Sequence, residues 1–114
     1  MSGTQTVILH IDKGTTDADL VDGVKDALVA LGAPLRFRKA KLCWVVDDEY
    51  GKPKHLTLTT KRLEYFIGKI GVRFERANPS GKYEPVAAPR EVLRSFIALA
   101  ENHQWFVDEW EDEE

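Results

Sequence analysis

Residues 35–46 alternate apolar and cationic side chains, and this pattern constrains the fold more than any other part of the chain. Successive side chains of a strand point to opposite faces, so Leu35 and Phe37 are predicted to share one face and Arg36 and Arg38 the other. The alternation resumes after a short polar interval, which indicates a turn followed by a second strand. The sequence therefore predicts a β-hairpin with one apolar face and one cationic face.

The distribution of charge along the chain is strongly uneven. Residues 34–77 carry eleven Lys and Arg against five Asp and Glu, a net charge of +6, whereas residues 101–114 carry seven acids and neither Lys nor Arg. The formal net charge of −3 conceals this segregation. A basic middle and an acidic end can each attract a partner, or they can attract each other.

The length and composition are typical of one folded domain: 114 residues, 43% hydrophobic and 31% charged. The single cysteine, Cys43, excludes an intrachain disulfide, and the first six residues resemble no signal peptide. No segment approaches the length and hydrophobicity of a membrane span. We therefore expect a soluble cytoplasmic protein without a membrane partner.

Hydrophobic periodicity predicts six strands and three helices. The predicted strands are Val7–Ile11, Leu35–Arg38, Lys41–Val46, His55–Thr59, Val72–Arg76 and Lys82–Glu84. The predicted helices run from a cap at Thr16 to Gly32, from Thr59 or Thr60 to Gly71, and from Pro89 to about Gln104.

This order, β-α-β-β-β-α-β-β-α, indicates an α+β domain with a mainly antiparallel sheet and helices on one face. A ferredoxin-like, split βαβ core is one topology that fits the order. Residues 1–104 are expected to form the single domain, and residues 105–114 an aromatic and acidic C-terminal tail.

Residues capable of catalysis or metal binding are scattered. His10, His55, His103 and Cys43 lack the spacing of metal ligands, and no nucleophile–base pattern accompanies them. The acids at 47–49 are typical of a solvated turn. We therefore predict a protein that is not an enzyme, with no catalytic residue, no metal site and no cofactor.

The hairpin cations have the chemistry that a phosphate backbone requires, because arginine offers a planar fork of donors to phosphate oxygens. Alternation predicts that Arg73 shares a sheet face with Arg36 and Arg38, while Trp44 is a candidate for stacking on unpaired bases, as are Tyr50 and Tyr65. The predicted nucleic-acid-binding residues are Arg36, Arg38, Lys39, Lys41, Trp44 and Arg73. The alternative interpretation is an ordinary solvated strand face whose charges neighbouring acids balance.

The aromatic residues of the tail allow three interpretations. Trp105, Phe106 and Trp110 can fold back on the core, or they can form a protein-interaction surface rimmed by acids. In the third interpretation, the acids of the tail cover the basic hairpin until nucleic acid displaces them.

The order of short motifs resembles a small accessory domain of primase–helicase-type replication proteins from phages and integrated mobile elements. The matching segments are Val7–Ile11, DALVALG (26–32), LRFRKAKLCWVV (35–46), LTLTTKRLEYFI (56–67), VRFERA (72–77) and PVAAPREVLRSFIA (85–98). Arg38 and Lys41 stand at the two arginines of the family's RGGR turn, and Lys39 and Ala40 replace its glycines. The resemblance implies a non-enzymatic accessory module of DNA replication or mobile-element maintenance, with a replication helicase or primase as partner.

Two functional hypotheses follow. The first is a module that binds DNA, preferably single-stranded or junction-like, through the basic hairpin. The second is a protein–protein interaction module, or an acidic inhibitor that imitates DNA, acting through the tail.

Overall fold

The computed structural model describes residues 5–103 and 111–113, with His103 and residues 111–113 described by their backbone alone. In chain order the elements are β1 (Val7–Ile11), α1 (Asp17–Ala30), β2 (Leu35–Arg38), β3 (Lys41–Asp47), β4 (Pro53–Thr57), α2 (Thr60–Ile70), β5 (Val72–Ala77), β6 (Tyr83–Val86), α3 (Arg90–His103) and β7 (Glu111–Glu113). The predicted α+β class and the order of the first nine elements are confirmed. β7 is an addition to the predicted elements.

The strands divide between two sheets. β1, β5 and β6 form one sheet in that order, and β4, β3, β2 and β7 form the other. The pairs β1–β5 and β2–β7 are parallel, whereas the other described pairs are antiparallel. The ferredoxin-like topology, which unites its strands in one sheet, is therefore not the one that forms. β3 pairs with β2 and β4 in one sheet, whereas β1 pairs with β5 in the other.

The predicted cap at the start of α1 is present and takes the form of a capping box. The Thr16 hydroxyl accepts a hydrogen bond from the Asp19 N–H at 3.1 Å, and the Asp19 carboxylate accepts one from the Thr16 N–H at 3.1 Å. Leu20, Val24 and Leu28 are buried along one face of this helix. The cap and the apolar face together determine where α1 begins and how it packs.

The helix α2 begins and ends at residues that the sequence predicts. The Thr59 hydroxyl accepts a hydrogen bond from the Arg62 N–H at 3.1 Å, which removes Thr59 from the preceding strand. Gly71 ends the helix with φ +116°, and a Cβ at this position would lie 2.4 Å from the Gln5 carbonyl oxygen. Only glycine fits both the backbone conformation and the close approach.

The three helices join the two sheets through one hydrophobic core. α1 packs on α3, β1 and β5, whereas α2 packs on α3 and β5, and α3 also contacts β3. The largest fully buried side chains come from the four-stranded sheet and from all three helices: Phe37, Phe96, Leu28, Leu42, Leu63 and Ile67. The four-stranded sheet therefore has one face on the core, and its other face is the one that carries the hairpin cations.

The turn of the basic hairpin has an unusual backbone. Arg38 pairs with Lys41, so Lys39 and Ala40 form a two-residue loop. Their φ angles are +55° and +63°, the left-handed conformation that a type I′ turn requires at both positions. Side chains with a Cβ adopt this conformation at a cost of about 1–2 kcal/mol per residue. The hairpin thus forms this turn without a glycine at either central position.

Replacing this turn with Asn-Gly, as Lys39→Asn with Ala40→Gly, is expected to stabilise the protein by about 1 kcal/mol or more, because both residues tolerate positive φ. The thermal midpoint should rise by roughly 4 °C. Ala87→Gly is the control, since Ala87 is exposed in a loop and is not among the residues with positive φ. An Asn-Gly variant no more stable than the unmodified protein would contradict the turn geometry.

Candidate nucleic-acid interface

The hairpin separates its side chains as the alternation predicts. Register places Arg36 opposite Cys43 and Arg38 opposite Lys41, while Phe37 and Leu42 are fully buried on the other face. Arg38 and Lys41 are exposed, as is Lys39 at the tip of the turn, and Arg36 is half-buried. Four cationic residues therefore lie within one hairpin, and three of them are largely open to solvent.

Neighbouring elements position two of these cations. Arg38 Nη1 lies 3.4 Å from His55 Nδ1, and because a guanidinium only donates, this ring nitrogen is the acceptor. Lys41 Nζ lies 3.8 Å from Glu101 Oε1 of α3, and the other oxygen of Glu101 accepts a hydrogen bond from the Leu42 N–H at 3.2 Å. Glu101 thus anchors the start of β3 and offsets part of the charge of Lys41.

An acidic strand runs beside the basic strand. The backbone of β7 pairs in parallel with β2, with Glu111 opposite Arg36 and Glu113 opposite Arg38. Three residues of the C-terminal tail thus extend the four-stranded sheet. The backbone register places acidic residues opposite Arg36 and Arg38, a long-range pairing that no local pattern in the sequence reveals.

Trp44 requires a correction to the predicted site. Its side chain is only 5% exposed, and its ring stacks on Phe66 of α2 with centroids 4.5 Å apart and planes 3° apart. Register places Trp44 opposite the buried Leu35, on the apolar face of the hairpin. Alternation with Leu42 already indicates this face. Trp44 is thus a core residue, and a base cannot reach it without disrupting that packing.

Arg73 requires a second correction, because it does not share a face with the hairpin arginines. It belongs to β5 in the other sheet, where it pairs with Ile8. Its Nη2 lies 3.3 Å from Glu75 Oε2, so a carboxylate on its own strand balances its charge. Strand alternation identified Arg73 as outward-facing but contained no information on which sheet β5 joins.

Around Glu75 the three-stranded sheet carries its own polar network. His10 Nε2 lies 3.6 Å from Glu75 Oε1, and the His10 ring stacks on Tyr83 with centroids 3.8 Å apart. The Tyr83 hydroxyl donates a hydrogen bond to Asp12 Oδ1 at 2.5 Å, and this bond raises the pKa of Tyr83. These polar side chains therefore interact with one another on an exposed surface, and the His10–Tyr83 stack connects β1 to the edge strand β6.

Other predicted groups fall into three classes. Tyr50 and Tyr65 are exposed, whereas Cys43 is buried as a thiol. Trp105, Phe106 and Trp110, the predicted protein-interaction residues, lie outside the described residues.

Within the described ranges, no three His, Cys, Asp or Glu side chains converge as metal ligands would. None of the helices in the same ranges has the length and hydrophobicity to cross a membrane.

In comparisons with known proteins, no family model, curated protein or solved structure matches this chain. The resemblance to accessory domains of replication proteins therefore stays a prediction that rests on the short motifs alone. The function is therefore inferred from the basic hairpin, from the acidic strand β7 and from the surfaces around them.

Proposed function

We propose that this protein is a non-enzymatic module that binds DNA through the cationic face of its hairpin, preferring single-stranded or junction DNA. The observation that carries the proposal is the grouping of Arg36, Arg38, Lys39 and Lys41 on β2, β3 and the turn between them. Arginine forks and lysine ammonium groups bind phosphate oxygens, and such contacts position a nucleic acid without reading its sequence. The expected result is binding that tolerates any sequence.

The salt dependence of binding gives this proposal a quantitative form. Each phosphate that a cation neutralises releases counterions, and for a single strand the slope of log K against log salt is about −0.7 per contact. Contacts from the four hairpin cations therefore correspond to a slope of roughly −3. Affinity should be measurable at low salt and fall steeply as salt increases.

The acidic strand β7 supports a refinement of the proposal. Its backbone occupies the edge of β2, and residues 108–114 contain six acids. DNA that approaches the hairpin meets this negative charge, so the tail and DNA compete for the same cations. The protein would then bind tightly only where DNA displaces the tail, for example at a high local concentration of single strands.

Deleting residues 108–114 is expected to tighten DNA binding about tenfold or more at low salt, since it changes the formal net charge from −3 to +3. The measurement is fluorescence anisotropy of a labelled single-stranded oligonucleotide at about 50 and 200 mM salt. The matched control is Glu111→Gln with Asp112→Asn and Glu113→Gln, which keeps the length of the chain and removes three charges. It should give an intermediate affinity.

The two variants distinguish the proposed DNA binding from the proposed competition between the tail and DNA. Unchanged affinity in both variants would remove the competition by the tail while leaving DNA binding in place. A lack of DNA binding by the unmodified protein and by both variants would reject the proposed function itself.

One observation favours a second function, a protein–protein interaction module. The edge of β2 accepts a short acidic strand, and a partner strand of the same chemistry could add to the sheet there. The salt dependence of binding distinguishes the two functions, because DNA binding should weaken steeply as salt increases, whereas pairing of a partner strand with the backbone of β2 should not. A role in replication, a helicase or primase as partner, and a cytoplasmic location belong to the proposal and rest on sequence alone.

A further inference from the structure

The helix α2 exposes an aromatic ring that the core holds in place. Tyr65 is 63% exposed, and its ring meets Phe66 edge to face, with centroids 5.4 Å apart and planes at 67°. Phe66 in turn stacks on the buried Trp44. Tyr65 is therefore the outer member of a series of three rings whose inner members belong to the core. Such a ring offers a fixed flat surface to solvent.

Cations surround this ring. Lys69 Nζ lies 5.9 Å from the centroid of Tyr65, one helical turn further along α2. Lys61 and Arg62 line a depression of about 320 Å³ together with Tyr65 and Phe66. A hydrogen bond from Arg62 Nη1 to the Thr57 carbonyl holds its guanidinium against the end of β4. The exposed ring therefore has Lys61 and Arg62 beside it in the depression and the ammonium group of Lys69 over it from the next turn of the helix.

Glu64 is the only acid of α2. It lines two neighbouring depressions, one of them together with Lys61, whereas no acid lines the depression beside Tyr65. The lining of that depression is therefore basic even though the whole chain is acidic. The combination of a fixed ring, three cations and a shallow cavity of this size matches one nucleotide better than a duplex.

We infer that the α2 surface is a second DNA contact, in which one unpaired base stacks on Tyr65 and Lys61, Arg62 and Lys69 hold the flanking phosphates. The inference rests on the proposed function and deepens it, because it specifies single-stranded DNA as the ligand. Tyr65 would also be the residue that stacks on a base, because Trp44 is buried in the core and cannot do so. Stacking on tyrosine tolerates any base, since every base has an aromatic face.

The test compares a thymine oligonucleotide with an abasic oligonucleotide of the same length, which has equal phosphate charge but no bases. Tyr65→Ala is expected to weaken binding of the thymine strand by about 5- to 100-fold and to leave binding of the abasic strand unchanged. Tyr65→Phe should retain the affinity, because the ring and not the hydroxyl does the stacking. Tyr83→Ala is the matched control and should leave the affinity unchanged, since Tyr83 is 42% exposed on β6 of the three-stranded sheet.

Each result bears on one proposal. Undiminished binding of the thymine strand by Tyr65→Ala overturns the α2 contact, although the hairpin proposal survives. Equal weakening for both strands also overturns it, because the loss then does not involve a base. A lack of binding of either strand by the unmodified protein overturns the proposed function. Thermal midpoints of all variants confirm that they fold.

Discussion

The double variant Arg38→Glu with Lys41→Glu is expected to bind DNA about 100-fold more weakly than the unmodified protein at low salt, by the same factor for every sequence. Each reversal removes an attraction to phosphate and adds a repulsion, and a pair of charges 4 Å apart in water interacts by about 1 kcal/mol. Four such changes, reduced by ionic screening, amount to roughly 3 kcal/mol. The slope of log K against log salt should become shallower by about 1.4 for a single strand.

The control has to alter the net charge equally at another place. Lys13→Glu with Lys82→Glu does so, because both residues are exposed in loops that flank strands of the three-stranded sheet. A similar loss of affinity in this control would show that net charge, and not the hairpin, governs binding. Arg38→Gln with Lys41→Gln is the milder companion, since it avoids placing a second carboxylate beside Glu101, which lies 3.8 Å from Lys41.

The substitution Trp44→Ala is expected to destabilise the fold by about 3–5 kcal/mol, because it removes a buried ring and leaves a cavity beside Phe66. The thermal midpoint should fall by more than about 10 °C. Trp44→Phe should cost much less, since an aromatic ring still packs there, and it should leave DNA affinity unchanged. Chemical denaturation and anisotropy on the same samples provide the two measurements.

This pair of substitutions separates a core residue from a binding residue. A Trp44→Phe variant that keeps its stability but loses DNA affinity would contradict the structural assignment and restore Trp44 as a base-stacking group. The opposite pattern for Tyr65→Ala, with stability kept and affinity lost, is what an exposed contact predicts. Together the two positions test whether Trp44 stabilises the core and whether Tyr65 binds a base.

Local features of the fold were predictable because local chemistry produces them. The hydroxyl of Thr16 and the carboxylate of Asp19 cap α1 within four residues of chain, and Gly71 ends α2 in a left-handed conformation that favours glycine. The hairpin follows from alternation alone. These features depend on neighbours in sequence, and the structure confirms them without adjustment.

The pairing of distant strands was not predictable from the same patterns. Alternation along β5 gives the direction of Arg73 but not its sheet, and it is the pairing of β1 with β5 that separates Arg73 from the hairpin. β7 is acidic and has no strand-forming residues, so its register with β2 arises only in the folded chain. The structure therefore confirms the hairpin itself, buries Trp44 in the core and assigns Arg73 to the other sheet, while the binding of DNA by the hairpin cations stays a prediction.

Amide chemical-shift mapping of the isotope-labelled protein during titration with a single-stranded oligonucleotide tests the central claim most directly, because it reports both binding and location. Saturable changes are expected at residues 36–41, at β7 as it is displaced, and around Tyr65 on α2. Changes confined to the three-stranded sheet around Arg73, or no changes at low salt, would contradict that claim.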